Sequence, residues 1–219
     1  MVISYYGGEF FKVSFGDTTL AFNPISKDSK LKGTRFGSDI ALVSMHHPDM
    51  DGVDQVAHGD RQPFVVDGPG EYEVKKTFIR GFATRSQFGV SKEKEERQNT
   101  MFLVQLEGMH LCFLGALSSK ELPKEAVAVM DTVDVLFIPI GGSGVLTASE
   151  AHSLAVEIEP ALVIPMHYQT TETGGDMGEK DALKKFLKEE GADVKPIEKL
   201  TIKKKDLEGK EGEVVVLAG

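Results

Sequence analysis

The residues able to do chemistry in this 219-residue chain gather in three short stretches, each just after an apolar run. The first is Ser44-Met45-His46-His47-Pro48-Asp49-Met50-Asp51-Gly52, the second Pro165-Met166-His167-Tyr168, and the third Gly115-Ala116-Leu117. Imidazole nitrogens and carboxylate oxygens bind zinc and other divalent cations. They also hydrogen-bond to one another. His46, His47, Asp49, Asp51 and His167 therefore admit two readings. Three of them hold a single ion, with His46 turned inward beside its neighbour His47. Alternatively, His47, Asp49 and His167 bond to each other and fix the loops. The other reactive side chains read as structural. His58 sits in a turn, His110 lies on a strand and His152 is one step off the apolar stripe of a helix. Cys112 lies within an apolar strand. Ser118 and Ser119 read as a helix cap. Gly141-Gly142-Ser143-Gly144 precedes a capped helix, where backbone N–H groups can receive an anion.

The elements that position these stretches change period midway along the chain. Glu9–Phe15 alternates polar and apolar, Gly16-Asp17 marks a turn, and Thr18–Phe22 follows as a second strand. Ile40–Val43 and Pro63–Val66 are short apolar strands, with a turn at Asp67-Gly68-Pro69-Gly70. Glu71–Val74 with Thr77–Phe82, and Thr100–Leu106 with His110–Leu114, read as hairpins. Residues 91–98 read as a charged loop between them. Ser118 and Glu121 have capping-box spacing and predict a helix to about Met130; Thr147 and Glu150 predict another. The second puts Ala151, Leu154, Ala155 and Ile158 on one stripe, and Pro160 ends it. Val133–Ile140 and Leu162–Pro165 are buried strands. A helix from about Glu179 to Glu190, with Gly191 as its C′ residue, and short closing strands including Glu213–Leu217 complete the pattern. Strands followed by strand–helix alternation imply a layered α/β or α+β domain. No linker-like stretch divides residues 1–219, so one domain is expected.

Composition narrows the function classes. The chain is 41% hydrophobic and 27% charged, which suits a packed globular core rather than disorder. A single cysteine excludes an intrachain disulfide framework. No apolar run approaches the roughly 18 residues of a membrane span, and Met1-Val2-Ile3-Ser4-Tyr5 does not read as the start of a signal peptide. The cytoplasm is the expected compartment. A net charge of −9 opposes non-specific nucleic-acid binding. Lys203-Lys204-Lys205, followed by Asp206, reads as a solvated strand end or turn.

Four stretches give the chain its resemblance. They are Ala21-Phe22-Asn23-Pro24, Leu42–Gly52, Gly68-Pro69-Gly70-Glu71-Tyr72-Glu73-Val74, and Asp134–Gly142 followed by Ile164–Tyr168. The chain resembles the metallo-β-lactamase superfamily, and within it the branch similar to L-ascorbate-6-phosphate lactonase, over roughly residues 1–170. The resemblance implies an αββα sandwich of two sheets with helices outside. It also implies a metal-dependent hydrolase with two divalent ions, zinc or manganese, held by a His-x-His-x-Asp-His loop and later ligands. In this sequence the loop reads Met45, His47, Asp49, Met50. Arg85 and Ser86 stand where a further His is expected, Ala116 where a bridging Asp is, and His167 matches the final His. Gly8 replaces an early His, and Asn23 the Asp of Asp-Pro. By the family's division of labour one ion retains His47 and the other Asp49 and His167, short of the three protein ligands of a catalytic zinc.

The resulting expectation is a cleft lined by Met45, Met50, Ala116, Asn23, Arg85 and Tyr168 whose dinuclear site is degenerate. The protein is then non-catalytic or ligand-binding, with no metal at full occupancy. The alternative is a hydrolase with one zinc or manganese ion on His47, Asp49 and His167, with His46 and Asp51 as further donors. Its substrate class is a phosphorylated sugar lactone or a phosphodiester. A small-molecule or phosphorylated ligand and a homo-oligomer are the expected partners.

Overall fold

A computed structural model describes residues 1–90, 95–170 and 177–219. Two sheets face each other. The first has the order β12-β1-β2-β3-β4-β5 and the second β13-β11-β10-β9-β8-β7-β6. The first is built from β1 (Val2–Tyr5), β2 (Phe11–Phe15), β3 (Thr18–Phe22), β4 (Ile40–Leu42), β5 (Phe64–Val66) and β12 (Lys199–Thr201). The second contains β6 (Gly70–Val74), β7 (Thr77–Ser86), β8 (Arg97–Leu106), β9 (Met109–Phe113), β10 (Val135–Pro139), β11 (Leu162–Met166) and β13 (Glu213–Val214). Strand β1 lies at the N-terminus, where no strand is predicted. It is held on both sides, by β2 and by β12.

Side-chain alternation explains the sandwich. Leu20 and Phe22 face the core between the sheets, while Ala21, between them, faces the outer cluster of Phe10, Ile25, Leu31, Ala41, Val56 and Met177. Phe11 and Phe22 of the first sheet meet Phe137 and Phe113 of the second, each pair with ring centroids 4.9 Å apart. Aromatic pairs at this spacing add about 0.5–1.5 kcal/mol beyond burial. Strands β10 and β11 are buried along their whole length because a helix layer covers their other face. That layer is α2 (Ala148–Ile158) packed with α3 (Ala182–Glu189). Over the first sheet, among the described residues, the outer layer is made of loops and one 3-10 turn at Val53–Val56. No described helix is long and apolar enough to cross a membrane.

Three expected elements differ. The predicted helix from Ser118 to Met130 shrinks to α1 (Lys124–Val127), with Pro123 as N-cap. A residue preceding proline is disfavoured in the helical region, so no helix runs through Leu122-Pro123. Ser118 Oγ instead donates to Arg85 O, and Ser119 Oγ accepts from Glu121 N. Helix α3 begins at Ala182 rather than near Glu179. Strand β8 begins at Arg97, inside the expected charged loop, and residues 91–94 of that loop lie outside the described residues. The Thr147–Glu150 capping box forms, with Glu150 Oε2 accepting from both Thr147 N and Oγ1. The chain's own carboxylate therefore stands at the helix N-terminus that could receive an anion. Lys204 lies in a 3-10 turn and bonds the buried Asp134 carboxylate at 2.6 and 2.7 Å.

Cys112 is fully buried on β9, and burial pushes its thiol up to about 12. Ellman's reagent is expected to leave it unmodified in native protein at pH 8 and to titrate one thiol after unfolding. Rapid native labelling would place Cys112 outside the core.

Candidate functional site

Loops bring the first chemical stretch to the ends of the strands and tie it down on both sides. Ser26 N donates to Pro48 O at 2.8 Å, and Gly52 N to Pro24 O at 2.7 Å. A side chain at Gly52 would meet the Ile25 carbonyl at 2.4 Å, so only glycine permits this approach. Towards the second sheet, Thr100 N donates to Ser44 O at 2.8 Å. Asn99, buried on β8, bonds Thr84 Oγ1 and Leu114 O through Nδ2, while its Oδ1 accepts from Ala116 N at 3.0 Å. The Gly115-Ala116 turn is thereby pressed against Ser44.

At the centre is a buried hydrogen-bonded chain. Glu9, 1% exposed, lies in the connection between β1 and β2. Its Oε1 accepts from His167 Nδ1 at 2.6 Å, and its Oε2 from Asn23 Nδ2 at 2.7 Å. Asn23 Nδ2 also reaches Ser44 Oγ at 2.8 Å, and Asn23 Oδ1 accepts from Ser44 N at 2.7 Å. Asn23 and His167 both hold left-handed backbone, at φ 44° and 55°. His167 N donates to Gly8 O, which helps fix that turn. Because Nδ1 faces Glu9, the opposite ring edge presents Nε2, and this buried atom has no hydrogen-bond partner.

The Ser44–Gly52 loop spreads its donors. His46 points outward, its side chain 72% exposed, with Nε2 3.9 Å from Asp67 Oδ2. The inward turn that a ligand role would require of His46 is not made. His47 is mostly covered, and its Nδ1 accepts from Asp49 N at 3.2 Å, which leaves the ring proton on Nε2. Burial pushes its pKa down and Arg97 adds to this, while Asp49 and Asp51 oppose it. Asp49 Oδ2 is 3.6 Å from His47 Nδ1, and Asp49 Oδ1 accepts from Ser29 Oγ. Burial raises the Asp51 pKa, against the pull of His46 and His47.

Between the imidazoles sits an aromatic ring. Phe88 lies 4.9 Å from His47 and 4.6 Å from His167, edge-on to both. It packs on a separate apolar cluster of Met45, Met50, Ala116 and Val145. The glycine-rich turn brings it there, since the Cβ missing from Gly144 would stand 2.8 Å from Gln87 and Phe88 backbone. Of the remaining predicted lining residues, Arg85 is exposed, and Tyr168 is buried beside Tyr5 in the main core. His47 and Asp49 thus meet each other, whereas His167 meets Glu9 and Phe88. Glu9, Phe88 and Arg97 are absent from the sequence-level site. The available signal for Glu9 was its parity with the inward-facing Phe11 and Val13; Phe88 and Arg97 gave none.

Among the described residues, no three His, Cys, Asp or Glu stand together in a way that could hold a metal ion.

A family model described as a beta-lactamase superfamily domain matches residues 2–167. A Thermotoga maritima structure described as a Zn-dependent hydrolase of the metallo-beta-lactamase superfamily superposes with a TM-score of 0.75 at 24% identity, covering 99% of this chain and 97% of that one. Igni18, a metallo hydrolase of Ignicoccus hospitalis, gives 0.61 at 17% identity over 92% and 99%. The short form of human tRNase Z gives 0.57 at 11% over 78% and 93%. At these identities the likeness is one of fold. A UPF0173 metal-dependent hydrolase of Thermoplasma acidophilum is 41% identical over 46 residues, 21% of this chain, and the match spans 20% of that relative's length. The matched model covers most of the chain, with every strand but the edge strands β12 and β13, and on that ground the protein belongs to the metallo-β-lactamase superfamily.

Proposed function

We propose that this chain is a ligand-binding member of its superfamily whose dinuclear hydrolytic site has degenerated. The observation that carries this reading is Phe88, whose ring contacts both His47 and His167 and packs on the apolar cluster of Met45, Met50, Ala116 and Val145. Burying a methionine or valine side chain contributes about 1.5–3 kcal/mol by removing it from water. A pair of hydrated cations with fewer than three protein ligands each has no comparable compensation. The branch resemblance adds a small phosphorylated ligand as the class of molecule bound, and the net charge of −9 disfavours nucleic acid.

Loading with zinc or manganese and then desalting is the test. Elemental analysis is expected to find far less than one ion per chain. EDTA should shift the melting temperature by less than about 1 °C, because no bound ion contributes to folding. One retained ion per chain and a large drop on chelation would reject the reading.

One observation favours the alternative, a hydrolase with a single zinc or manganese on His47, Asp49 and His167. A carboxylate on one ring nitrogen with the other left free is how metal-binding histidines are oriented, and Glu9 and His167 have that arrangement. Under this alternative, stoichiometric metal is retained and disappears in His167→Ala.

A further inference from the structure

Two polar atoms near the Phe88-Gly89 turn are buried without a hydrogen-bond partner, His167 Nε2 and Arg97 Nη1. Such orphans cost about 1–3 kcal/mol each when nothing meets them, more for a charged group, and they mark places where a ligand can supply the missing partner. Arg97 opens β8 and pairs across the ladder with Ser86, at the base of the turn that carries Phe88 and Gly89. It lies close enough to His47 for its charge to depress that imidazole's pKa.

Gly89 links the two. A Cβ built on it would stand 3.2 Å from both Arg97 Nη1 and His47 Nε2, so the two nitrogens border one small volume. Both are donors. The guanidinium is always protonated, and His47 carries its proton on Nε2 because Nδ1 accepts from Asp49 N. Asp49 lies at the Nδ1 edge of the ring, the edge away from Nε2, and is engaged by Ser29. No carboxylate forms an ion pair with Arg97 among the described residues.

We propose that Arg97 and His47 form an oxyanion-binding site, taking the phosphate or carboxylate group of a small molecule at the mouth of the old cleft. One oxygen accepts from Arg97 Nη1 and another from His47 Nε2. Charge-assisted bonds of this kind are short and roughly twice as strong as neutral ones. The rest of the molecule extends towards Phe88, behind which lies the unpartnered Nε2 of His167. This rests on the preceding reading, since an occupied metal centre would itself be the anion's receptor.

The test uses protein stripped with EDTA and checked for metal, so that the two readings fail separately. Inorganic phosphate and acetate are titrated while the His47 ring nitrogens are followed by long-range proton–nitrogen NMR, with chloride as the ionic-strength control. Phosphate is expected to give a saturable shift at His47, and acetate a weaker one. Arg97→Gln is expected to weaken phosphate about tenfold or more, and Arg97→Lys by less, because lysine retains the charge but not the planar fork. The unchanged remainder of the spectrum reports that each variant is folded. A shift that does not saturate, or one that Arg97→Gln leaves intact, overturns the anion site while leaving the metal-free reading standing. Stoichiometric metal surviving the stripping overturns both.

Discussion

Glu9→Ala is expected to destabilise the protein by about 3–5 kcal/mol, because it strips partners from two buried donors at about 1–3 kcal/mol each, more where a group is charged. For a domain of this size that is a fall of roughly 6–20 °C in melting temperature. The magnitude follows from the number of donors left behind. Glu9 is 1% exposed, its Oε1 receives His167 Nδ1 and its Oε2 receives Asn23 Nδ2. Alanine leaves His167 Nδ1 buried without a partner and Asn23 Nδ2 with Ser44 Oγ alone, in the two residues that already hold left-handed backbone. Glu9→Gln separates shape from chemistry. A glutamine can still accept from His167, but its amide NH2 then faces the Asn23 NH2. Asn23 cannot turn over to relieve this, since its Oδ1 is engaged by Ser44 N. The glutamine variant is therefore expected to lose about 1–3 kcal/mol. Urea denaturation of the two variants measures the ordering. An alanine variant within about 1 kcal/mol of the parent would show that the chain of bonds through Glu9 does not hold the loops together.

The second large effect concerns the apolar cluster. Met45→His, Met50→His and Ala116→Asp, combined in one chain, put back the ligand types that the superfamily motif has at these positions. Without metal, the triple variant is expected to be less stable by about 3 kcal/mol or more, because Ala116 is fully buried among Met45, Met50 and Val145 and a carboxylate there is desolvated. With zinc in excess it is expected to recover, by about 4 kcal/mol when free zinc is a thousandfold above the dissociation constant. The parent chain is expected to gain no stability from zinc. Calorimetric titration with zinc and thermal melts with and without it read both. Loss without zinc-dependent recovery would mean that the three positions do not face a common pocket with His47, Asp49 and His167.

What local patterns specify was legible. Strands such as β2, β3, β8 and β9 follow from alternation and from glycine at their turns. The cap of α2 follows from Thr147 and Glu150, whose bonding needs only three intervening steps of chain. The superfamily and its two-sheet sandwich were legible in the loops after β4 and β11. Legibility stopped where a neighbour distant in sequence makes the decision. The box at Ser118 and Glu121 has the right spacing, yet Pro123 closes the helical region to Leu122 and Arg85 O takes the Ser118 hydroxyl. Strand β1 shows little alternation of its own and exists because β2 and β12 complete its ladder.

Set against the superfamily motif, the amino-acid sequence by itself determined which side chains stand at the ligand positions: His47, Asp49 and His167, with Met45, Met50, Ala116 and Arg85-Ser86 in the places of the others. Only the tertiary structure decided what those donors do. His167 turns to Glu9, 158 residues away along the chain, because packing of the two sheets buries both and a buried carboxylate must find its hydrogen bonds nearby. Phe88 stands between the imidazoles because a glycine turn from another loop leaves room for its backbone. Spacing along a chain sets which groups can reach a site, and competition among partners in the folded core sets which of them meet.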